Sequence, residues 1–191
     1  MTRIPDLKDL VRRAKEGAVT RAEQDEVATL LAEGRGGEST YQLLYVLGRT
    51  SDTRHEPMVA KLLDRSDDPM VSRLALQTLC QFWGFTGRYV DAVERFLDGV
   101  EWDDFDDVKD IAISIAGDYL ASNRQCGMLR RLLAIAGDST GVQHRITIEA
   151  LAVAMGEPVG SAINADKGDT PWQVWADEVV SRAEGRQRAE C

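Results

Sequence analysis

The chain has few of the residues that build disulfide frameworks, zinc sites and membrane spans. Its 191 residues include three cysteines and two histidines, with no C-x-x-C or Cys–His pattern among them. This sparse, odd set predicts buried free thiols for Cys80 and Cys126 and a mobile Cys191. No stretch approaches the roughly 18 apolar residues of a membrane span, and the charged start of the chain is unlike a signal peptide. We therefore expect a cytoplasmic protein without a membrane segment.

Aromatic residues and positive charge are also scarce. Aromatic residues make up 6% of the chain, and 23 basic residues face 32 acidic ones, which gives a net charge of −9. Few aromatic residues favour helices over a β-sandwich or barrel. The negative charge repels phosphate backbones, which disfavours nucleic-acid binding, and it favours a basic protein partner.

Motifs for the common kinds of catalysis are missing. The sequence contains no G-x-S-x-G, no H-E-x-x-H and no G-x-x-x-x-G-K-[ST], which are patterns that place a nucleophile, a zinc ion or a phosphate. We therefore predict a protein that is not an enzyme and uses no cofactor or metal.

The middle of the chain carries a repeated helical pattern. Three stripes of mainly apolar residues follow the i, i+3, i+4, i+7 spacing of an amphipathic helix, and equivalent positions are 36 or 37 residues apart. A second series of short apolar phrases lies between the stripes, at 61–64, 95–98 and 131–134. The stripes are Val71, Leu74, Ala75, Thr78, Leu79 and Phe82; Val108, Ile111, Ala112, Ile115, Ala116 and Tyr119; and Thr147, Ile148, Leu151, Ala152 and Met155.

On these residues the chain resembles the HEAT-like (armadillo-type) α-solenoid family. Residues 68–79 (DPMVSRLALQTL) and 145–158 (RITIEALAVAMGEP) are similar to the family pattern D-P-x-V-R-x-x-A-x-x-A-L-G. Two departures occur, because Ser72 splits the Val-Arg pair and the helix that follows Asp107 has Lys109 where the family has Arg. The resemblance implies stacked helical hairpins, and such proteins mostly bind other macromolecules.

We accordingly predict an all-α fold, a right-handed superhelix of stacked antiparallel helical hairpins with about eight to nine helices. A single domain spans 1–191, with N-terminal capping helices at 1–36 and helical repeats at 37–157. A loop at 158–170 leads to a C-terminal capping helix at 171–186, and we expect the polar residues 182–191 to be frayed. Thr20 with Glu23 forms a capping box, Asp68 and Pro69 start a helix, and Thr170 caps the last one.

An acidic run at 101–110 is the strongest local charge signal. It holds six acids and one base, more than half of the net charge, with two aromatic residues between the acids. Aromatic anchors inside an acidic rim indicate a partner-binding surface. The alternatives are a solvated loop in which Asp106 or Asp107 caps the next helix, and a metal site, although EF-hand spacing is absent. The predicted contact residues are Glu101, Trp102, Asp103, Asp104, Phe105, Asp106, Asp107 and Asp110.

An aromatic cluster and a histidine are further candidates. Trp83, Phe85 and Tyr89 lie in a glycine-bounded turn, where they staple a hairpin corner or form an edge of the binding surface. His144 is either a partly buried structural residue or a general base with Glu149 as its partner.

The first functional hypothesis is a non-catalytic protein-binding module. Its size and acidity resemble those of a bacterial immunity protein, which binds and neutralises a basic toxin, often a nuclease. The alternative is a generic HEAT-like scaffold or adaptor subunit. A HEAT-like DNA-base excision enzyme is disfavoured because such enzymes need a cationic concave face.

Overall fold

The computed structural model describes residues 6–161 and 171–191, and all regular structure in these residues is helical. The all-α prediction is therefore confirmed, whereas the superhelical arrangement stays a prediction. Ten α-helices are present in the described residues, more than the eight to nine expected. They are α1 (Leu7–Lys15), α2 (Arg21–Ala32), α3 (Thr40–Gly48), α4 (Glu56–Ala60), α5 (Pro69–Gln77), α6 (Val90–Leu97), α7 (Asp107–Leu120), α8 (Cys126–Ala136), α9 (His144–Ala154) and α10 (Trp172–Glu190).

The described helices belong to two compact units. The first contains α1 to α5 together with residues 102–108, and the second contains α6, most of α7 and α8 to α10. The single domain at 1–191 stays a prediction. Within the described ranges, no helix is both long enough and apolar enough to cross a membrane.

Two helix starts follow the predicted capping chemistry. The Thr20 hydroxyl accepts the backbone N–H of Glu23, and the Glu23 carboxylate accepts the N–H of Thr20. Arg13 donates to the same carboxylate at 2.6 Å, and this interaction, followed by the Thr20 N–H, lowers the pKa of Glu23 to about 2. Asp68 accepts the N–H of Val71 at 3.2 Å, with Pro69 in the first turn.

Another predicted start is shifted. Thr170 lies outside the described residues, and α10 begins at Trp172, so Pro171 precedes the helix instead of opening it. The predicted frayed end at 182–191 is wrong, because α10 continues to Glu190.

The core of the first unit forms around α3. This helix packs against α1, α2 and α5, and such neighbours on several sides require apolar residues around most of its circumference. Four of its nine residues have no exposed surface, namely Leu43, Leu44, Val46 and Leu47.

The three predicted stripes form much of the buried interior. All of their residues are buried except the last of each, Phe82, Tyr119 and Met155, which are partly exposed. At the end of the first stripe, α5 widens into a π-helical turn at Thr78–Phe82. There the N–H of Trp83 reaches back five residues to the carbonyl of Thr78 at 2.9 Å, which changes the helical register on which the stripe depends.

In the second unit, α7 and α9 cross at close range. A Cβ atom on Gly117 of α7 would lie 2.6 Å from the carbonyl oxygen of Ala150 in α9, so only glycine fits at this crossing. The same unit packs α8 against α6 and α9, and α10 against α8 and α9.

Arg186 of α10 connects the ends of other helices in the second unit. Its guanidinium donates to the carbonyl oxygens of Leu120 at 2.8 Å, Ala154 at 2.9 Å and Asn123 at 3.0 Å. Leu120 and Ala154 are the last residues of α7 and α9, where carbonyl groups lack partners within the helix. The Arg186 guanidinium therefore supplies hydrogen-bond donors to the last carbonyl groups of two helices and to one carbonyl group of a loop. Glu190 accepts the Nε–H of Arg186.

The cysteine prediction is wrong for two of the three residues. Cys126 at the start of α8 and Cys191 after α10 form a disulfide that spans 65 residues, so Cys126 is not a free thiol and Cys191 is not mobile. Cys80 is free and buried, as predicted, and burial raises the pKa of its thiol to about 12.

Replacing Arg186 should destabilise the second unit. Arg186→Ala leaves three carbonyl groups without their donor, and we expect the free energy of unfolding to fall by about 2 to 4 kcal/mol in chemical denaturation. Arg186→Lys should recover only part of this, because an ammonium lacks the planar fork. The control is Arg188→Ala on the same helix, whose side chain is 70% exposed. Equal effects at both positions would contradict the connecting role of Arg186.

Loss of the disulfide should also lower stability. For a closed loop of 65 residues, Cys191→Ser is expected to reduce the free energy of unfolding by about 2 to 4 kcal/mol. Thermal unfolding with and without dithiothreitol checks this expectation. The reductant should bring the native protein to the level of the variant and leave the variant unchanged, and a native protein insensitive to the reductant would contradict the prediction.

Candidate partner-binding site

The acidic run at 101–110 lies between α6 and the first turn of α7. The chain passes from the second unit to the first and back within this run, because residues 102–108 belong to the first unit. Glu101 and Asp110 belong to the second unit. Of the predicted contact residues in the run, Trp102 to Asp107 therefore belong to the first unit.

Asp103 is a structural member of the run. It is only 6% exposed, its carboxylate accepts the N–H of Val108 at 2.8 Å, and its carbonyl accepts the N–H of Asp106 at 3.0 Å. An oxygen that satisfies an unpaired N–H in the first turn of a helix is a cap. Asp103 thus accepts the N–H of Val108, and the cap expected from Asp106 or Asp107 stays a prediction. Its burial keeps its carboxylate away from solvent.

The neighbouring residues form an exposed turn. Asp106 has φ of +57°, a left-handed conformation that aspartate tolerates better than most residues. Phe105, immediately before it, is 87% exposed, Asp104 is exposed, and Trp102, Asp106 and Asp107 are partly exposed. A large aromatic ring in water among carboxylates is the arrangement expected of an anchor for a protein partner.

The aromatic cluster makes contacts within its own unit. Trp83 is 8% exposed and donates its indole N–H to the carbonyl of Thr50 at 3.0 Å, and its ring meets that of Phe85 edge to face. Tyr89 donates its hydroxyl to Glu56 at 3.1 Å, and burial, followed by this contact, raises the pKa of Tyr89 to about 12. These contacts favour the hairpin-corner interpretation, and a role of Trp83, Phe85 and Tyr89 in partner binding stays a prediction.

His144 contacts a backbone carbonyl and lines a cavity of the second unit, and its pairing with Glu149 stays a prediction. Its Nδ1 is 3.1 Å from the carbonyl oxygen of Ala136, and the histidine lines a cavity of about 310 Å³ together with Asp177 and Glu184. Glu149 is not among the residues that line this cavity. Within residues 6–161 and 171–191, no three His, Cys, Asp or Glu side chains are grouped as a metal site would require.

Sequence reasoning missed a partly open cavity in the first unit. A cavity of about 190 Å³ lies between the α1–α2 turn and the end of α3, and Gln24 and Arg49 are among its lining residues. These two residues are far apart in the sequence and belong to no motif. The only hint of this cavity in the sequence was the polar Gln24 on the apolar face of α2. The spacing of apolar residues does not show what such a glutamine contacts.

Substitution of Asp103 should cost more stability than substitution of Asp104. Asp103→Ala removes a buried cap and is expected to lower the free energy of unfolding by about 1 to 2 kcal/mol, whereas Asp104→Ala should change it by less than about 0.5 kcal/mol. Denaturation followed by circular dichroism measures both. A stable Asp103→Ala variant would show that the hydrogen bond to Val108 contributes little.

No protein-family model, curated protein or solved structure matches this chain. The similarity to HEAT-like repeats therefore rests on the quoted repeat residues and stays a prediction.

Proposed function

We propose that the chain is a non-catalytic protein-binding module that binds a basic protein through the exposed turn at Asp104–Asp107. In its most concrete form it is an immunity-type protein that occludes and neutralises a basic toxin or nuclease. The exposure of Phe105 among carboxylates is the observation that carries this proposal.

Helix contacts within each unit support the stacked-hairpin part of the proposal. In the first unit α1 contacts α3, α2 contacts α4, and α3 contacts α5, while α6 contacts α8 in the second. Contacts between helices two apart in chain order are what stacked hairpins require, because each hairpin buries its apolar stripe against the next. A HEAT-like superhelix is consistent with these contacts.

Charge supports a basic partner. The net charge of −9 increases the rate at which a positively charged protein associates with this one, mainly at low salt. Asp104 supplies an exposed carboxylate beside Phe105, and Asp106 and Asp107 supply partly exposed ones. Once the ring is covered by a partner, these carboxylates would form the polar rim that surrounds a buried anchor.

The cytoplasmic location is part of this proposal, but the disulfide weighs against it. Cytosolic disulfides are uncommon outside redox-active proteins and hyperthermophiles, because glutathione and thioredoxin keep thiols reduced. In a reducing compartment Cys126 and Cys191 would be thiols, and α10 would be held in place by helix packing and by side-chain hydrogen bonds such as those of Arg186 and Trp175. Alkylation of thiols during cell lysis, followed by mass spectrometry, distinguishes the two states.

The binding experiment compares the replacement of Phe105 with the replacement of an exposed apolar residue elsewhere in the chain. Immobilised protein captures partners from the native lysate at low and high salt, and the affinity of each partner is then measured. Phe105→Ser should raise Kd by about 30-fold, the effect of losing an anchor worth about 2 kcal/mol. Val142→Ser is the matched control, since Val142 is 92% exposed on the second unit.

A triple variant tests the charges separately. Replacing Asp104, Asp106 and Asp107 by asparagine should slow association by about tenfold at low salt and flatten its salt dependence. Removal of three acids from α10 (Asp177→Asn, Glu178→Gln and Glu184→Gln) is the charge-matched control.

The outcomes separate the hypotheses. A basic partner that is lost from both the Phe105 and the triple-Asp variants, but kept by both controls, supports the proposal. A partner retained by all variants in high salt would favour a scaffold that uses an apolar groove. Absence of any partner, or binding of duplex DNA instead, would contradict the proposal.

A further inference from the structure

The C-terminal part of α10 takes little part in the core of the second unit. The helix packs against α8 and α9, and its buried residues are Ala176, Val179 and Ala183. None of the residues from Glu184 to Glu190 is buried. A packed helix is stabilised mainly by the apolar area that it removes from water, so this stabilisation ends at Ala183.

Arg186 and the disulfide attach this part of α10 to the other helices. The Arg186 guanidinium donates to the last carbonyl groups of α7 and α9 and to the carbonyl of Asn123. The disulfide joins Cys191, the residue after α10, to Cys126 at the start of α8. Water can replace the donor of an exposed carbonyl group, whereas the covalent bond opens only by a chemical reaction.

The two bonded cysteines lie where a thiol reagent can approach. Cys191 is exposed and Cys126 is partly exposed, whereas the third cysteine, Cys80, is buried. Exchange begins when a thiolate reaches one of the two sulfur atoms, and exposed disulfides are the ones that exchange most readily. The difference in exposure favours attack at Cys191.

We propose that the Cys126–Cys191 disulfide is a redox latch on α10, opened by a dithiol protein of the thioredoxin class. One thiolate of the reductant attacks the sulfur of Cys191, which breaks the S–S bond and releases the Cys126 thiolate, and this thiolate takes up a proton. The second thiol of the reductant then displaces Cys191 from the mixed disulfide. The chain gains two electrons and two protons, and the reductant is oxidised to its own disulfide.

Reduction changes how often the C-terminal part of α10 detaches. With the bond closed, detachment is limited because both ends of the 65-residue loop stay joined. With the bond open, the hydrogen bonds of Arg186 hold this part of the helix, and local opening becomes more frequent while the core of the second unit stays folded. Each opening uncovers the parts of α8 and α9 against which this part of α10 packs. The redox state therefore controls access to that surface.

Limited trypsin digestion of the whole chain measures the opening. Arg182, Arg186 and Arg188 are trypsin sites on α10, and cleavage within a helix requires local unfolding around the bond. Dithiothreitol should increase the cleavage rate at these sites by about 30-fold. In the reduced protein these cuts should be at least about tenfold faster than those after Arg130 and Arg131 in α8. Mass spectrometry of the quenched and fully reduced fragments identifies the first cuts.

A second measurement tests the reductant. The folded protein is incubated with reduced thioredoxin, its thiols are alkylated, and the modified residues are identified by mass spectrometry. Cys126 and Cys191 should be alkylated. Cys80 should stay unmodified, because it is buried and burial raises the pKa of its thiol to about 12. A disulfide that is reduced only after the chain has been unfolded in denaturant would overturn the proposal.

Variants decide whether the latch acts through the named residues. Cys191→Ser should be cleaved in α10 as fast as the reduced native protein, with or without dithiothreitol. Cys80→Ala is the matched control and should respond to dithiothreitol as the native protein does. Arg186→Ala should speed cleavage of the reduced protein by a further factor of about ten.

Three results would each contradict the latch. They are α10 cleavage that dithiothreitol does not accelerate, first cuts that are equally fast in α8 and α10, and a Cys191→Ser variant that still responds to the reductant. None of these measurements requires a protein partner, so they are independent of the protein-binding proposal.

Discussion

Short helices impose the constraint on which this structure depends. Each α-helix leaves four N–H groups and four carbonyl groups without partners inside the helix, and nine of the ten described helices have fourteen residues or fewer. A large share of the backbone therefore lies at helix ends. The side chains of Thr20, Asp68 and Asp103 satisfy N–H groups, and Arg186 satisfies carbonyl groups of α7 and α9.

This constraint changes how the charge of the sequence should be interpreted. Asp103 and Asp104 are adjacent and identical in type, yet the first is buried against a helix start and the second faces water. Counting carboxylates gives the net field around the protein, which depends little on their detailed positions. It does not tell which carboxylates a partner can reach, because a cap is defined by backbone geometry three to five residues away.

Local patterns were predictable, whereas long-range contacts were not. The stripes, the capping box at Thr20 and the helix start at Asp68 depend on neighbours within a few residues, so spacing alone was sufficient. The disulfide and the contact of Arg186 with Leu120 join residues 65 and 66 positions apart, and no periodicity encodes such pairs. At the candidate site, the acidic run could be predicted from the sequence. The burial of Asp103 and of Trp83 could not, because burial depends on contacts with distant parts of the chain.

Side chains that the fold leaves uncovered or without a hydrogen-bond partner indicate where another molecule can bind. In the first unit, Phe105 has its ring in water, and Gln24 and Arg49 have polar atoms that no described residue pairs. The two cases differ in scale. A ring on a projecting turn can be desolvated only by a surface large enough to cover it, which means a macromolecule. A buried acceptor such as Gln24 Oε1 requires only one donor atom.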